Sequence, residues 1–300
     1  MMKHPFQLIL CLRLVLFSPL FALAEQAGSP VVHVFSEPGV GSVNSFIIEG
    51  EEGLVIIDTQ RALSQGRALA EMASEREKPL LAVLLTHPHP DHFGGLQTVL
   101  EAFPGTPVYA SDATQEEMRT DGRGFMTATQ RALPEDTPAV FPLPDHSFAN
   151  REILRFGDIV LHVHEIGAGE SVAMSMFYLQ ESNQLFVGDL ICYRMIAFLL
   201  EDRLDAWIDQ LALVRVAYAR TAPQIMPGHG DPGPFDQLHD WQTAYLSYLS
   251  SLLADAKADG AVETAEFERI TESIEAAFPG LLPVAAIPNL LELNLQTLAK

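Results

Sequence analysis

The amino-acid sequence predicts an α/β fold in which buried strands alternate with amphipathic helices. Residues 54–58 and 80–85 contain apolar runs that are typical of strands buried on both faces of a sheet. Each run is followed by apolar residues at helical spacing, at 62–73 and at 96–103. Since sites in open α/β sheets lie at the carboxyl ends of strands, we expect the functional residues to follow these runs.

The predicted elements form one domain with a helical tail. Strands are predicted at residues 31–35, 45–48, 54–58, 80–85, 108–110, 153–156, 159–166, 175–180, 185–187 and 224–226. Helices are predicted at residues 62–73, 96–103, 204–218, 235–257, 264–278 and 287–298. The segment 112–150 is rich in Pro, Gly and Thr. Beyond a short helical stretch at 115–119 it is compatible with a substrate-side loop, a surface loop or disorder.

The amino terminus has the features of a secretory signal peptide. Lys3 and Arg13 provide a basic start, residues 8–23 are mostly apolar, and Ala-Leu-Ala at 22–24 is a small-x-small cleavage site. The apolar stretch contains a proline and is short for a membrane span. We expect cleavage near Ala24 and a periplasmic or secreted mature protein, with an uncleaved anchor as the alternative.

The composition of the mature chain narrows the possible partners. The 18 Lys and Arg residues, less Lys3 and Arg13, leave 16 against 39 Asp and Glu, a formal charge of −23. Such a surface repels phosphate backbones and anionic lipids, so we expect neither nucleic-acid nor membrane binding. Only Cys192 remains after removal of the leader, so no internal disulfide is expected and stability must come from packing.

A cluster of metal-binding residue types follows the second buried run, in the sequence Thr-His-Pro-His-Pro-Asp-His-Phe-Gly-Gly at 86–95. His87 and His89 are two residues apart and project to the same side of an extended chain. Asp91 and His92 follow where the chain must turn. Imidazole nitrogens and carboxylate oxygens are donors that zinc and similar ions prefer. Because histidine supplies only 10 of the 300 residues, this cluster predicts a metal site rather than a chance polar loop.

These residues resemble the metallo-β-lactamase superfamily of metal-dependent hydrolases, over most of the mature chain up to about residue 233. Residues 87–92 are similar to its His-x-His-x-Asp-His signature, and residues 44–58 to its opening hairpin, whose final Asp orients a metal-binding histidine. Val-Gly-Asp at 187–189 is similar to the strand end with a metal-bridging Asp, and Pro-Gly-His-Gly at 227–230 to the loop with the last histidine.

The resemblance implies a four-layer αββα sandwich with a two-metal site along one edge. It implies that His87 and His89 bind one metal, that Asp91, His92 and His229 bind the other, and that Asp189 lies between them. Two divalent ions are expected as cofactors, zinc first, with manganese or iron as alternatives. The expected organisation is a leader at 1–24, a catalytic domain at 25–234 and a helical extension at 235–300 packed on the same domain.

The chain departs from the family pattern at two positions. Gln60 stands where the family usually has Gly, and we expect this to alter a turn only. The loop that usually reads Gly-Pro-Gly-His-Thr is Gly-Ala-Gly-Glu-Ser at 167–171, so Glu170 occupies the position of a metal-binding histidine. We expect Glu170 to be the third ligand of the first metal, as in some alkylsulfatase-like relatives, with a water-filled position as the alternative. His162 and His164 are weaker candidates, because a polar strand face explains them.

The carboxylate changes the charge of the expected site. Two divalent ions, a bridging hydroxide and ionised Asp91, Asp189 and Glu170 sum to zero, whereas the all-histidine version carries one positive charge. A less positive site lowers the pKa of bound water less and favours harder ions such as Mn²⁺ or Fe²⁺. We therefore expect modest activity and loose metal selectivity.

The expected chemistry is hydrolysis by a metal-bound hydroxide that attacks a polarised carbonyl or related centre. Asp91 is expected to anchor a metal, orient the nucleophile and pass a proton to the leaving group. Asp58 is expected to hold a ligand histidine by its other ring nitrogen, with a turn cap as the alternative. Tyr193 is a candidate donor to a developing oxyanion, against a core or surface role. Cys192 is expected to be a buried apolar residue rather than a nucleophile.

The fold does not identify the substrate. Asp189 in the bridging position counts against the β-lactamase groups. The acidic charge counts against RNA-processing relatives. His89 counts against di-iron oxidoreductases, which have Glu at that position. We expect a small ester, lactone, thioester or sulfate-ester substrate. The alternatives are β-lactamase-type amide hydrolysis and a non-catalytic exported metal-binding or scaffold protein. The helical tail is expected to be an interaction surface, a homodimer contact or a lid on the core.

Overall fold

Two six-stranded sheets pack face to face in the part of the chain that the computed structural model describes, residues 28–258 and 264–300. The expected leader at 1–24 lies outside these residues. The elements of the first half are β1 Val31–Phe35, β2 Ser45–Glu49, β3 Leu54–Ile57, α1 Leu63–Ser74, β4 Leu80–Leu84, α2 Pro90–Phe93, α3 Leu96–Ala102, β5 Val108–Ser111, α4 Asp112–Thr120, α5 Phe125–Ala132 and β6 His146–Phe148. Those of the second half are β7 Ile153–Phe156, β8 Ile159–Gly167, β9 Met174–Leu179, β10 Gln184–Cys192, β11 Met195–Ile196, α6 Leu204–Tyr218, β12 Gln224–His229, β13 Gly233–Pro234, α7 Phe235–Ala258, α8 Thr264–Ala277, β14 Leu282–Pro283 and α9 Leu290–Leu298.

Strand order places the ends of several parallel strands at one edge. The first sheet has the order β1-β2-β3-β4-β5-β6, and β3, β4, β5 and β6 pair in parallel. The second has the order β13-β12-β10-β9-β8-β7, with β10 and β12 parallel and the other pairs antiparallel. A short parallel pair joins β11 to β14, which comes from the tail.

Apolar side chains divide the molecule into four layers. The inner faces of the two sheets share a core in which Phe46 packs edge-on against Phe186, with ring centroids 5.1 Å apart. Helices α1 and α3 cover the outer face of the first sheet, and α6 and α7 cover that of the second, where Trp207 is fully buried. Each such buried side chain contributes about 1.5–3 kcal/mol to the free energy of unfolding. The arrangement confirms the predicted αββα sandwich with a helical C-terminal region.

The tail packs on the second sheet through the same apolar cluster that contains α6. Leu246 of α7, Ile274 of α8 and Leu295 of α9 are buried there. Asn294 is fully buried and ties α9 to the body, because its amide donates to the carbonyl of Ala197 at 2.7 Å and its oxygen accepts from the amide of Leu199 at 2.9 Å. None of the helices in the described ranges is long and apolar enough to cross a bilayer.

Short elements such as α2, β11, β13 and β14 were not predicted. Larger differences between the predicted and observed elements occur in three places. The segment 112–150 contains α4, α5 and β6, with the side chain of Ser111 capping α4 by accepting from the amide of Thr114 at 3.1 Å. Strand β10 is longer than predicted because its pairing with β12 continues through an irregularity at Gly188, where φ is +50°. Helix α9 begins at Leu290 rather than at residue 287, because Asn289 adopts a left-handed conformation.

Gln60 does more than alter a turn. Its backbone has φ of +71°, the left-handed conformation that glycine adopts easily. Its side chain is fully buried, and the amide donates to the carbonyl of Val43 at 3.0 Å and to Oγ of Ser45 at 2.8 Å. The expectation of a turn effect only was therefore wrong, because the longer side chain fastens the end of β3 to the beginning of β2.

Candidate metal centre

The predicted metal ligands converge at one edge of the sandwich. His87 and His89 follow β4, Asp91 and His92 lie on α2 directly after them, and the other ligands come from the second sheet: Glu170 after β8, Asp189 within β10 and His229 at the end of β12. Their side chains form two groups: His87, His89, Glu170 and Asp189, and Asp91, His92, Asp189 and His229. Within each group the ligand atoms lie within 4.8 Å of one another, which suits donors around one ion.

Each of the four histidines is held through one ring nitrogen and directs the other toward the shared space. The hydrogen-bonded pairs are Nδ1 of His87 with Oγ1 of Thr86 at 2.9 Å, Nε2 of His89 with Oε1 of Glu201 at 3.0 Å, Nδ1 of His92 with Oδ2 of Asp58 at 2.7 Å, and Nδ1 of His229 with the carbonyl of Ser42. In metal sites such a bond orients the ring and sets which nitrogen is free to bind the ion.

Several inward-facing atoms are buried without a hydrogen-bond partner among the described residues. They are Nε2 of His87, His92 and His229, both carboxylate oxygens of Glu170 and Oδ1 of Asp189. Leaving a buried polar atom unpaired costs about 1–3 kcal/mol. The polar atoms close to several of these are other ligand atoms of the cluster, at 3.1–3.7 Å, and a shared binding partner would satisfy them together. All of them are metal-ligand atoms, and a divalent cation therefore fits the residues that surround this space.

Asp189 belongs to both groups and faces a histidine of the second group with each oxygen. Its Oδ1 lies 3.1 Å from Nε2 of His92, and its Oδ2 lies 3.1 Å from Nε2 of His229. The neighbouring backbone must approach closely, because a Cβ at Gly228 would lie only 2.0 Å from Oδ1 of Asp189. Burial raises the pKa of Asp189, but His229 and His92 outweigh it and hold the pKa well below its usual range. The carboxylate is thus ionised and placed between the two groups.

Glu170 takes the place that the resemblance assigns to a histidine. Its carboxylate is fully buried, with Oε1 3.2 Å from Nδ1 of His89 and Oε2 3.7 Å from Nε2 of His87. The loop before it is held by Gln210, whose amide donates to the carbonyls of residues 166 and 167. Burial raises the pKa of Glu170 to about 7, although the proximity of His89 lowers it. A carboxylate in such surroundings is well suited to a cation as its partner.

Asp58 connects both ligand groups. It adopts φ of +58° at the end of β3 and accepts from His92 at 2.7 Å, as predicted. It also accepts from the backbone amide of Thr86 at 2.9 Å and from its hydroxyl at 2.8 Å. Since Thr86 in turn contacts His87, this one carboxylate orients His92 directly and His87 through the hydroxyl.

Glu201 is a site residue that sequence reasoning missed. Its carboxylate is almost completely buried, contacts Nε2 of His89 at 3.0 Å and lies between Nε of Arg203 at 3.3 Å and the guanidinium of Arg123 at 3.6 Å. Burial raises the pKa of Glu201, but His89 and the two arginines outweigh it, and the pKa is lowered. Glu201 is 112 residues from His89 and belongs to no local motif, so no pattern in the sequence pointed to it.

Tyr193 is not brought to the centre with the other predicted residues. Its ring packs against Trp241, with centroids 5.6 Å apart, and its hydroxyl accepts from Nε2 of Gln237 at 2.8 Å. This orientation arises because α7 lies over the end of β10. The predicted oxyanion role of Tyr193 gains no support from the geometry.

Other side chains near the predicted site have structural roles. Cys192 is fully buried among apolar side chains, and burial raises the pKa of its thiol, which agrees with the predicted apolar role. His162 and His164 lie on β8 and pack against Tyr178 and Tyr218. They therefore occupy a strand face, as expected, and do not join either ligand group.

A cavity of about 500 Å³ opens above the ligands, with His89, Asp91 and Asp189 at its base. Its other lining residues come from α5 with the following Leu133 and from the tail segment 284–287, together with Arg61, Pro90 and Phe198. The segment 112–150, for which several structures were compatible with the sequence, and the C-terminal tail therefore both line the site.

Comparison with known proteins identifies the family. A family model described as the metallo-beta-lactamase superfamily matches residues 38–258, and the chain belongs to this superfamily. A metallo-beta-lactamase from Pontibacter korlensis is similar in fold, with a TM-score of 0.58 and 21% sequence identity over 75% of this chain and 97% of that one.

Sequence relatives match over shorter stretches. A linear primary-alkylsulfatase of Pseudomonas sp. is 44% identical over 81 residues, which are 25% of this chain and 15% of that protein. An (R)-specific secondary-alkylsulfatase of Pseudomonas sp. is 38% identical over 65 residues, 21% of this chain and 10% of that protein. The chain spans between 10% and 63% of the length of the curated relatives it matches first.

Proposed function

We propose that this protein is an exported metal-dependent hydrolase that cleaves a small ester, lactone, thioester or sulfate ester. The observation that carries the proposal is the pair of ligand groups that share Asp189 and direct unpartnered, buried donor atoms into one space below a cavity. Export rests on the predicted leader, and amino-terminal sequencing of the mature protein tests it.

The residues that would hold two ions divide between the sheets. His87, His89 and Glu170 would hold the first ion, Asp91, His92 and His229 the second, with Asp189 between them. Divalent ions at such a centre supply Lewis acidity and a bound water of lowered pKa. Zinc is the first candidate, and the buried carboxylate of Glu170 favours manganese or iron more than a histidine would.

Asp91 is the residue best placed to move a proton. Its carboxylate is 18% exposed, lines the cavity and lies 3.4 Å from Nε2 of His229, whereas the other ligand side chains of its group are almost fully buried. Burial raises the pKa of Asp91, but His92 and His229 outweigh it and hold the pKa well below its usual range. The lowered pKa makes Asp91 a weak base, so its proposed role in passing a proton to the leaving group rests on its position at the cavity and not on its basicity.

The cavity walls provide the other requirement of hydrolysis, a confined reacting bond. Phe125 and Phe198 lie edge-on to each other and to the ring of His89, with centroids 5.2–5.4 Å apart. These rings cover one side of the ligands and limit access of bulk water. The similarity to two alkylsulfatases supports sulfate esters among the proposed substrates.

Metal analysis combined with a hydrolysis panel tests the proposal. Purified mature protein is expected to contain two divalent ions per chain and to hydrolyse at least one of a set of 4-nitrophenyl esters, lactones, a thioester and an alkyl sulfate. The Asp91→Ala variant is expected to lose that activity. If the protein binds both ions but Asp91→Ala changes no rate, the catalytic proposal is wrong and a non-catalytic metal-binding role is favoured.

A further inference from the structure

Arg61 is a cation at the cavity without a protein partner. Its guanidinium makes no ion pair or hydrogen bond with the residues that the structure describes, and its Nε is buried without a partner. Several other arginines lie beside carboxylates: Arg76, Arg119, Arg123, Arg203, Arg215 and Arg269. Arginines outside this cavity also lack an ion pair among the described residues, namely Arg67, Arg131, Arg151, Arg155, Arg194 and Arg220. Arg61 differs from them because it lines the cavity that contains the predicted ligands, in a chain with a formal charge of −21.

The position of Arg61 is rigidly coupled to the ligand loop. Gln60, directly before it, has a buried side chain and a carbonyl that accepts from the amide of Gly95 at 3.0 Å. A Cβ at Gly94 would lie 1.9 Å from the carbonyl oxygen of Arg61, so the two backbones are in direct contact. The side chain of Arg61 lies against Gly41, where a Cβ would come within 2.2 Å of Nη1. The backbone of Arg61 is thus fixed relative to the ligand loop, and its guanidinium lies beside Gly41.

Apart from Arg61, Thr129 and the three predicted metal ligands, the lining of the cavity is apolar. Phe125 and Leu133 come from α5 and its end, Phe198 follows β11, and Val284 and Ile287 come from the tail. Apolar walls of this kind favour the hydrocarbon part of a ligand, and they strengthen the attraction between a buried cation and an anion by excluding water. The guanidinium presents a planar set of donors that matches a carboxylate or sulfate.

We infer that the substrate is amphiphilic, with an apolar body between α5 and the tail segment 284–287 and an anionic group paired with Arg61. The inference rests on the proposed function and adds the substrate class. No ligand carboxylate in the described ranges forms an ion pair with this guanidinium, and we assign the anion at Arg61 to a part of the substrate other than the bond that is hydrolysed. Arg61 is therefore a specificity-determining residue.

Ligand binding tests the inference without turnover. Octanoate and 1-octanol serve as probes of the same length, measured by calorimetry with the mature protein, both metal-loaded and chelator-treated. Octanoate is expected to bind more tightly than 1-octanol in both forms, and Arg61→Gln is expected to weaken octanoate binding about tenfold to a hundredfold. Arg61→Lys, which keeps the charge but not the planar fork, is expected to be intermediate.

The control is Arg67→Gln, which removes an exposed arginine of α1 and is expected to leave octanoate binding unchanged. If octanoate binds only to the metal-loaded form, or if Arg61→Gln binds it as tightly as the natural protein does, the inference is overturned.

Activity separates this inference from the proposed function. The two test substrates are 4-nitrophenyl pentanoate and 4-nitrophenyl hydrogen glutarate, in which a carboxylate replaces the terminal methyl group. The ratio of kcat/KM for the anionic ester to kcat/KM for the neutral ester is expected to fall about tenfold or more in Arg61→Gln. If the protein is active but the ratio is unchanged in Arg61→Gln, the role of Arg61 is wrong and the proposed function stands. If the natural protein hydrolyses nothing in the panel but octanoate binding still depends on Arg61, the proposed function is wrong and the role of Arg61 in anion binding stands.

Discussion

The metal centre and the cavity above it are built in different ways. Predicted ligands such as His87 and His229 are fully buried at strand ends of the two sheets, and each is oriented by a hydrogen bond. The cavity walls come from α5 and the tail segment 284–287, which lie outside the sheets and include exposed residues such as Ala128 and Ala286. The contrast indicates that rigid sheets hold the chemistry in place, while peripheral segments determine what enters.

The largest effect is expected from Asp189→Asn. The amide removes the shared negative charge between His92 and His229 while keeping the size of the side chain. We expect loss of at least one bound ion and a fall in kcat/KM of at least about a hundredfold. This is a larger effect than substitution of a residue that only hydrogen-bonds to a ligand produces. Metal content by mass spectrometry and steady-state kinetics measure both. Asp209→Asn, an exposed change on α6, is the matched control and should have neither effect.

A smaller effect is expected from Asp58→Asn, which leaves every ligand in place. Asp58 accepts from His92 and from both the amide and the hydroxyl of Thr86, and an asparagine cannot accept all of these. We expect metal affinity to fall about 10–100-fold. Chelator competition measures this. Unchanged affinity for both ions would show that the sheets hold the histidines without this carboxylate.

Glu170→His tests whether the carboxylate sets metal preference. The substitution converts the first group to three histidines and makes the centre more positive by one charge. We expect the ratio of bound zinc to bound manganese to rise, because imidazole suits zinc and carboxylate suits harder ions. The ratio is measured after equilibration with an equimolar mixture. An identical ratio in both proteins contradicts the argument from Glu170.

The smallest effect is expected from Ala285→Trp, in the tail segment. The larger side chain narrows the cavity. We expect unchanged metal content and a KM that rises several-fold for long-chain esters and less for short-chain ones, since the ligands are not touched. A loss of bound metal in this variant would contradict the separation between the centre and the wall.

The sequence contained most of the metal centre because its signals are local. The loop 86–95 places several ligands within one short window, and Asp58 and Asp189 stand at or near the ends of apolar runs that predict buried strands. Once the strands are recognised, their parallel order brings those ends to one edge. Glu170 was predicted differently, from the family resemblance of the loop 167–171, in which it occupies the position of a histidine.

Residues that are distant in the sequence surround that centre, and their positions follow from the packing of the folded chain. Glu201 reaches His89 from 112 residues away, and Arg61 stands at the cavity without an acidic partner. Tyr193, which is four residues from Asp189, turns instead toward α7.

Periodicity and turn chemistry act over short windows, so they predict the strands and the loop 86–95 from local sequence alone. The family resemblance supplied Glu170, Asp189 and His229 as further candidate ligands. The contacts that orient the histidines, close the cavity and leave Arg61 free depend on how remote helices and the tail pack, and only the folded chain decides them.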